Sequence, residues 1–421
     1  MAGSTILHKS VVREIEKMGR ADILVGIPSF RDKDTISHVI KTASEGMARF
    51  FPGLMPVLVN SCGGVGEACE TREVALRALV PPNVKKIITH YRGPAGKGSA
   101  FRTIFEIADR LRVRVCITVD ADLRSITPRW IKLLGEPVLK YNYGLVTPFY
   151  HRHKHDGTIT NNVAYPLTRA LYGFRVRQPI GGEFGFSGAL AKILSHQPVW
   201  ETDIARFGVD VWMTTTAITE GFRVAQASMG VKLHDPKDPA TDLSSMFKQV
   251  VGTLFKLMGE HEVKWKAVRE SMPVDTLGGS ARRRELREKE VSPFKLIEHF
   301  KAGFRSHKAF FKRYLERENF QQISRIATLS EEAFHFPEEL WVKIVYDFAV
   351  AYNFSGENPE LVVGTLTPLF YGRTAAFMIE SQGMSPVMVE SLVEGQARVF
   401  EELKPYLIKR WDEAKQAADS R

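Results

Sequence analysis

The chain has 421 residues, 44% of them hydrophobic and 25% charged, with a formal net charge of +10. These proportions exclude a disordered or fibrous chain, and the length exceeds the roughly 250 to 300 residues at which one core stops growing, so two domains are expected. The first 20 residues show no signal-peptide core, and no stretch offers ~20 uninterrupted apolar residues, so a cytoplasmic protein without a membrane span is expected.

In chain order, the runs 21–28, 55–60, 84–90 and 113–120 have the length and β-branched content of buried strands. Between them, segments near 32–50, 69–79 and 97–111 carry apolar residues at helical spacing. Such alternation predicts a mostly parallel sheet covered on both faces, with ligands bound beyond the carboxyl ends of the strands. Pro28 and Ser29 follow the first strand, Asn60 the second, and Asp120 and Asp122 the fourth.

Residues i and i+2 of a strand point the same way, so Asp120 and Asp122 are expected to approach one ligand from the same side. Two carboxylates at a sheet mouth suit a divalent metal that also holds a diphosphate; equally, they suit acids that cap the next segment. The run RGPAGKGSA (92–100) places Lys97 and glycines before a helix. It reads either as a phosphate cradle or as a plain glycine turn, and its spacing is not that of a P-loop. YGLVTPFY (143–150) reads as a further strand. After it come His151, Arg152, His153, Lys154 and His155, expected as a solvated basic loop or a phosphate receiver.

RQPIGGEFGFSG (177–188) reads as a tight turn and a helix start, with Glu183 as a first-turn acid or a ligand contact. Asp210 lies in an apolar segment, and His234 at a strand end in MGVKLHDP. From about 256 onward the pattern is helical, interrupted by the charge run 281–291, with Ser292, Ser330 and Ser385 as expected N-caps. Cys62, Cys69 and Cys116 have neither disulfide nor metal spacing. The basic charge favours acidic ligands; no nucleic-acid-binding motif accompanies it, so no nucleic-acid partner is expected.

Taken in order, PSFRDKDTI, VLVNS, GKGSA, DADL, QPIGGE, GVD and KLHDP resemble the GT-A nucleotide-sugar glycosyltransferases. More narrowly, they resemble the retaining enzymes that make mannosylglycerate, glucosylglycerate and glucosyl-3-phosphoglycerate. The resemblance implies an α/β fold: a Rossmann-like, mostly parallel GT-A domain over residues 1–255 and an all-helical C-terminal domain over 256–421. It implies transfer of glucose or mannose from a GDP- or UDP-sugar to D-glycerate, with 3-phosphoglycerate as the alternative acceptor. The metal, Mg2+ or Mn2+, would be held by Asp122 with Asp120 and His234.

By the same resemblance, Lys97 and Gly182 would lie against the donor, and Pro28, Ser29 and Asn60 would line its base and ribose. Glu183 would contact the transferred sugar, Asp210 would stand near the reacting centre, and Thr158 and Thr160 would hold the acceptor. Arg31-Asp32 replaces the family's usual Asn-Glu, which leaves the donor base open. Thr158 stands where phosphoglycerate-using relatives carry arginine, which favours unphosphorylated glycerate. A homo-oligomer through the helical region is expected. A nucleotidyltransferase would carry its glycine-rich fingerprint directly after the first strand, where this chain has IPSFRDKD. A nucleotide-binding protein without catalysis is the alternative of another class.

Overall fold

The computed structural model describes residues 5–64, 67–151, 153–233, 243–279 and 292–420. Its strands are β1 (Ile23–Ser29), β2 (Pro56–Cys62), β3 (Lys85–His90), β4 (Val115–Thr118), β5 (Leu145–His151), β6 (Phe174–Arg175), β7 (Phe184–Ser187), β8 (Val224–Val231), β9 (Met272–Pro273) and β10 (Asp275–Leu277). Eight of them form one sheet in the order β10-β8-β5-β7-β4-β1-β2-β3. The pairings are parallel except at β7, which runs antiparallel to both β4 and β5.

The central strands are apolar because both faces are covered: every residue of β1, β2 and β4 is buried. β3 is an edge strand, and its burial alternates, with Lys85 exposed at its start. Ile23, Val25, Ile27, Leu58, Val115, Ile117, Ile131 and Leu134 belong to one apolar core on this sheet. Each such side chain, when fully buried, contributes about 1.5–3 kcal/mol.

The described residues divide into two compact units, and the chain passes between them repeatedly. The first holds 5–151, 176–233 and 274–279, which is the eight-stranded sheet with its helices. The second holds 153–175, 243–273 and 292–420 and is helical apart from the short β6–β9 pair. The single expected cut at residue 255 is thus replaced by an interleaved division. The helix Leu243–Glu260 belongs whole to the second unit, and β10 returns to pair with β8 in the first.

Within the second unit, helices Pro293–Tyr314 and Pro359–Glu380 pack where Gly303 meets Pro368 and Gly372 meets Phe300. Ser292 and Ser385 cap helices as expected, accepting from the amides of Phe294 and Met388. Ser330 does not start a helix. Its hydroxyl closes a turn on Ala333, and the helix begins at Glu338, after Pro337, since a residue preceding proline is kept out of the helical region. Among the described residues no helix is long and apolar enough to cross a membrane.

Candidate functional site

The carboxyl ends of β1, β2 and β4 gather the residues that the sequence singled out. Pro28 sits in β1 opposite Ser61 of β2, and Asn60 is fully buried beside them. The Asn60 amide nitrogen donates to the Ile27 carbonyl at 2.9 Å and to the Ser29 hydroxyl at 2.8 Å. Its carbonyl oxygen, like the Ser61 hydroxyl, has no hydrogen-bond partner among the described residues. Two buried polar atoms without partners at a sheet mouth are what a bound polar ligand would satisfy. In the turn that follows, Asp32 accepts from the Phe30 amide at 2.7 Å and so closes its own loop, with Arg31 left-handed at φ 62°.

Lys97 is the first residue of the helix Lys97–Arg110. Its ammonium pairs with Asp120 Oδ1 at 2.9 Å and donates to Asp210 Oδ2 at 3.1 Å. The glycines around it do a different job from the expected phosphate approach. The Gly98 amide donates to the Arg206 carbonyl at 3.1 Å, and a Cβ there would collide with the Ile204 carbonyl. Close backbone packing explains that glycine and fixes the helix start from which Lys97 projects.

A second lysine, which the sequence reading did not pick out, completes the cluster. Lys232 follows β8 and donates to Asp120 Oδ2 at 3.0 Å, to the Gly181 carbonyl at 3.2 Å, and to both oxygens of Glu183 at 2.8 and 2.9 Å. Tyr150 of β5 also donates to Glu183, at Oε2. Glu183 is completely buried and precedes β7, so the expected helix start is a strand. Because β7 runs backwards, its amino end lies at the edge where its neighbours end. That places QPIGGE beside the acids after β4.

Gly182 is fitted to this corner: its φ is +85°, and a Cβ there would collide with the Asp120 carboxylate. Gly182→Ala is expected to cost about 1–3 kcal/mol for the left-handed backbone and to displace Asp120 from its lysines. Thermal unfolding and donor affinity measured together check this, since both should fall.

The electrostatics follow from burial against pairing. Burial opposes ionisation of Asp120, but the two ammonium groups prevail and hold it well below the usual carboxylate range. Burial dominates at Glu183 and pushes it up to about 7, against the opposing Lys232 and Tyr150 bonds. Burial also raises Asp210, with Lys97 opposing. Asp210 Oδ1 is buried and has no hydrogen-bond partner among the described residues.

The two acids of DADL are therefore not equivalent. β4 ends at Thr118, so the strand alternation that would have aimed Asp120 and Asp122 together does not reach them. Both Asp120 oxygens are held by lysines, which does not fit a metal ligand. Asp122 is only partly buried and makes no hydrogen bond or ion pair among the described residues, which does fit one. His234 lies outside the described residues, and among those described no cluster of three metal-ligating side chains occurs.

Thr158 and Thr160 belong to the helical unit, where both are buried. The basic run after β5 is not a solvated loop: His153 is buried, and Lys154 and His155 are half-buried. Arg152 lies outside the described residues.

Fold and site together define a class: a mostly parallel α/β sheet that gathers lysines, acids and unpartnered amide and hydroxyl groups at its ligand-binding edge. No family model matches the sequence, and no curated protein matches it. Among similar solved structures is glucosyl-3-phosphoglycerate synthase from Mycobacterium tuberculosis in complex with Mg2+ and uridine diphosphate. It is 24% identical with a TM-score of 0.44, over 62% of this chain and 85% of that one. The same synthase with Mn2+, uridine diphosphate glucose and phosphoglyceric acid matches at 24% identity and a TM-score of 0.43, over the same shares. A mycobacterial protein matches at 21% and 0.42, over 62% of this chain and 79% of that one. The synthases are of the type that the sequence motifs resemble.

Proposed function

We propose that the chain is a metal-dependent, retaining glycosyltransferase that moves glucose or mannose from a nucleoside-diphosphate sugar to D-glycerate. The observation that carries this reading is the cluster of Lys97, Lys232, Asp120, Asp210 and Glu183 at the carboxyl edge of the sheet, with the partnerless Asp122 next in sequence. Breaking the bond from a sugar to a diphosphate builds negative charge on the leaving group. Preorganised cations at that edge stabilise the charge without reorganising.

Asp122 and His234 would hold Mg2+ or Mn2+, and a bound divalent ion neutralises diphosphate charge. Lys97 supplies a fixed positive charge at the start of its helix and orients Asp210, whose unpartnered oxygen is available to a sugar hydroxyl. Lys232 and Tyr150 hold Glu183 beneath Asp120 and Gly182, so Glu183 shapes the sugar side of the site. Ser29, Asn60 and Pro28 line the base and ribose. Thr160 binds the carboxylate of the acceptor, Thr158 is a further acceptor contact, and Thr158 in place of arginine supports glycerate. His153, Lys154 and His155 make 3-phosphoglycerate the second acceptor to test.

Purified protein with GDP- or UDP-glucose, or the mannosyl donors, and Mg2+ or Mn2+ is expected to release nucleoside diphosphate when D-glycerate is added, and to stop with EDTA. Stimulation by 3-phosphoglycerate alone would change the acceptor. Donor affinity without release for any pair would establish a nucleotide-binding protein without catalysis.

A further inference from the structure

Resting on the reading of Thr158 as an acceptor contact, we propose that Gln396, oriented by Arg373, is a positioning residue that sets the backbone presenting Thr158. Residues Thr160–Ala164 form a π-helix, a wide turn that is rare and is frequently found at functional sites. Such a turn disturbs the regular helical ladder, and the carbonyls along it need other donors.

Two of these donors come from distant helices of the same unit. Gln396, on helix Pro386–Glu402, donates to the Asn161 carbonyl at 2.9 Å. Trp341, on helix Glu338–Phe354, donates its indole N–H to the Asn162 carbonyl at 2.8 Å. Asn162 in turn donates its side-chain amide to the Thr158 carbonyl at 3.1 Å, which links the clamp to the acceptor residue.

The orientation of Gln396 is itself fixed. Arg373 Nε donates to Gln396 Oε1 at 2.9 Å, so the amide nitrogen is left to face Asn161. Arg373 is fully buried, and its remaining donors reach the Phe336 carbonyl and both oxygens of Glu380, each at 2.7 Å. Burying an arginine, a glutamine and an indole N–H where apolar side chains would pack is costly unless each bond is made, and here each is. The same helix that carries Gln396 also anchors the segment following the π turn, through Glu394 and Glu401 on the buried Arg169.

At the end of this chain of bonds, Thr158 is 1% exposed, and its hydroxyl has no hydrogen-bond partner among the described residues. Thr168 and Thr374 also carry buried hydroxyls without partners among the described residues of this unit; Thr158 differs from them in that its own carbonyl is held by Asn162, at the end of the bonds that start from Arg373 and Gln396. Gln396 therefore acts on the acceptor through backbone register and touches no substrate itself.

Gln396→Met keeps the volume and removes its three bonds, to Arg373, to the Asn161 carbonyl and, at 3.4 Å, to Asn162 Oδ1. With the donor that is active in the release assay, its KM for D-glycerate is expected to rise about tenfold, the size of one lost hydrogen bond, with kcat and the nucleoside diphosphate Kd unchanged. Amide hydrogen exchange over 158–164 should quicken while the first unit keeps its protection. A fall in kcat with KM unchanged, or unaltered exchange over 158–164, overturns the proposal. Thr158→Val, which deletes the unsatisfied hydroxyl, separates the two ideas. If it leaves the D-glycerate KM unchanged, the acceptor reading fails. If it raises KM and Gln396→Met does not, only the positioning role fails. Gln396→Glu keeps the partner of Arg373 without the donor and should behave like Gln396→Met; wild-type exchange over 158–164 in this variant likewise overturns the role.

Discussion

An Asp122→Ala variant is expected to fold like the parent and to release nucleoside diphosphate about 10²–10³-fold more slowly, the loss seen when one preorganised charge-stabilising group is removed. The stability half of this expectation rests on the absence of any hydrogen bond or ion pair to Asp122 among the described residues. Nothing is left unsatisfied when its carboxylate goes, so unfolding should change by no more than about 0.5 kcal/mol. Asp120 offers the contrast within the same tetrapeptide: both its oxygens face ammonium groups, at 2.9 and 3.0 Å, and its removal would set two lysines against each other. Turnover and thermal unfolding of both variants check the pair. Wild-type turnover in Asp122→Ala would remove the proposed mechanism.

Lys232→Met carries the second large effect. The lysine side chain is 6% exposed and lies between Asp120 and Glu183, so deleting it breaks a buried ion pair, leaving Glu183 without its lysine and Asp120 with Lys97 alone. Loss of one partner from such a pair costs about 3–5 kcal/mol. The cost should depend on pH, in a direction set by Glu183. Its carboxyl is raised to about 7 in the folded chain against 4.5 as the ordinary value, so the folded state holds a proton that the unfolded state has lost. The stability this supplies is fully present below about 4.5 and is lost as pH rises through about 7. With Lys232 gone, the largest influence opposing the burial of Glu183 is lost, and its carboxyl rises further. The destabilisation measured by urea unfolding should therefore be larger at pH 8 than at pH 5. Equal losses at both would mean that Glu183 does not titrate in that range.

The sheet was legible in the sequence where strands are apolar throughout. ILVGIPS, PVLVNSC and VCIT match buried parallel strands because burial on both faces leaves no polar residue to confuse the pattern. β7 was not legible: it has four residues, two glycines flank its start, and FGFS gives too short an alternation to outweigh them. Asp120, Glu183, Asp210 and Lys97 were found by motif order, and the structure brings these four together. Lys232 was missed although it stands two residues before His234 in the same quoted motif. A lysine at a strand end is ordinarily solvated, and its partner Asp120 lies 112 residues away, beyond any local signal. Tyr150 was hidden for the same reason, as one aromatic residue in an apolar strand. The unit boundaries were illegible because they depend on which distant segments pack together, and residues near 255 carry no break in helical pattern.

The interleaving of the two units also bears on how the chain matures during synthesis. β8 can pair with β5 once residue 231 has emerged, but its other edge stays open until β10 arrives at 275–277, after the helix Leu243–Glu260 has been made. An uncovered strand edge is a template for mispairing. The segment 153–175, synthesised early, waits longer still: Trp341, Gln396 and Glu401, which hold it, are among the later residues to leave the ribosome. The first unit has all of its described segments once residue 279 is made, whereas the second waits for 292–420, so the sheet can be completed while the helical unit is still being synthesised.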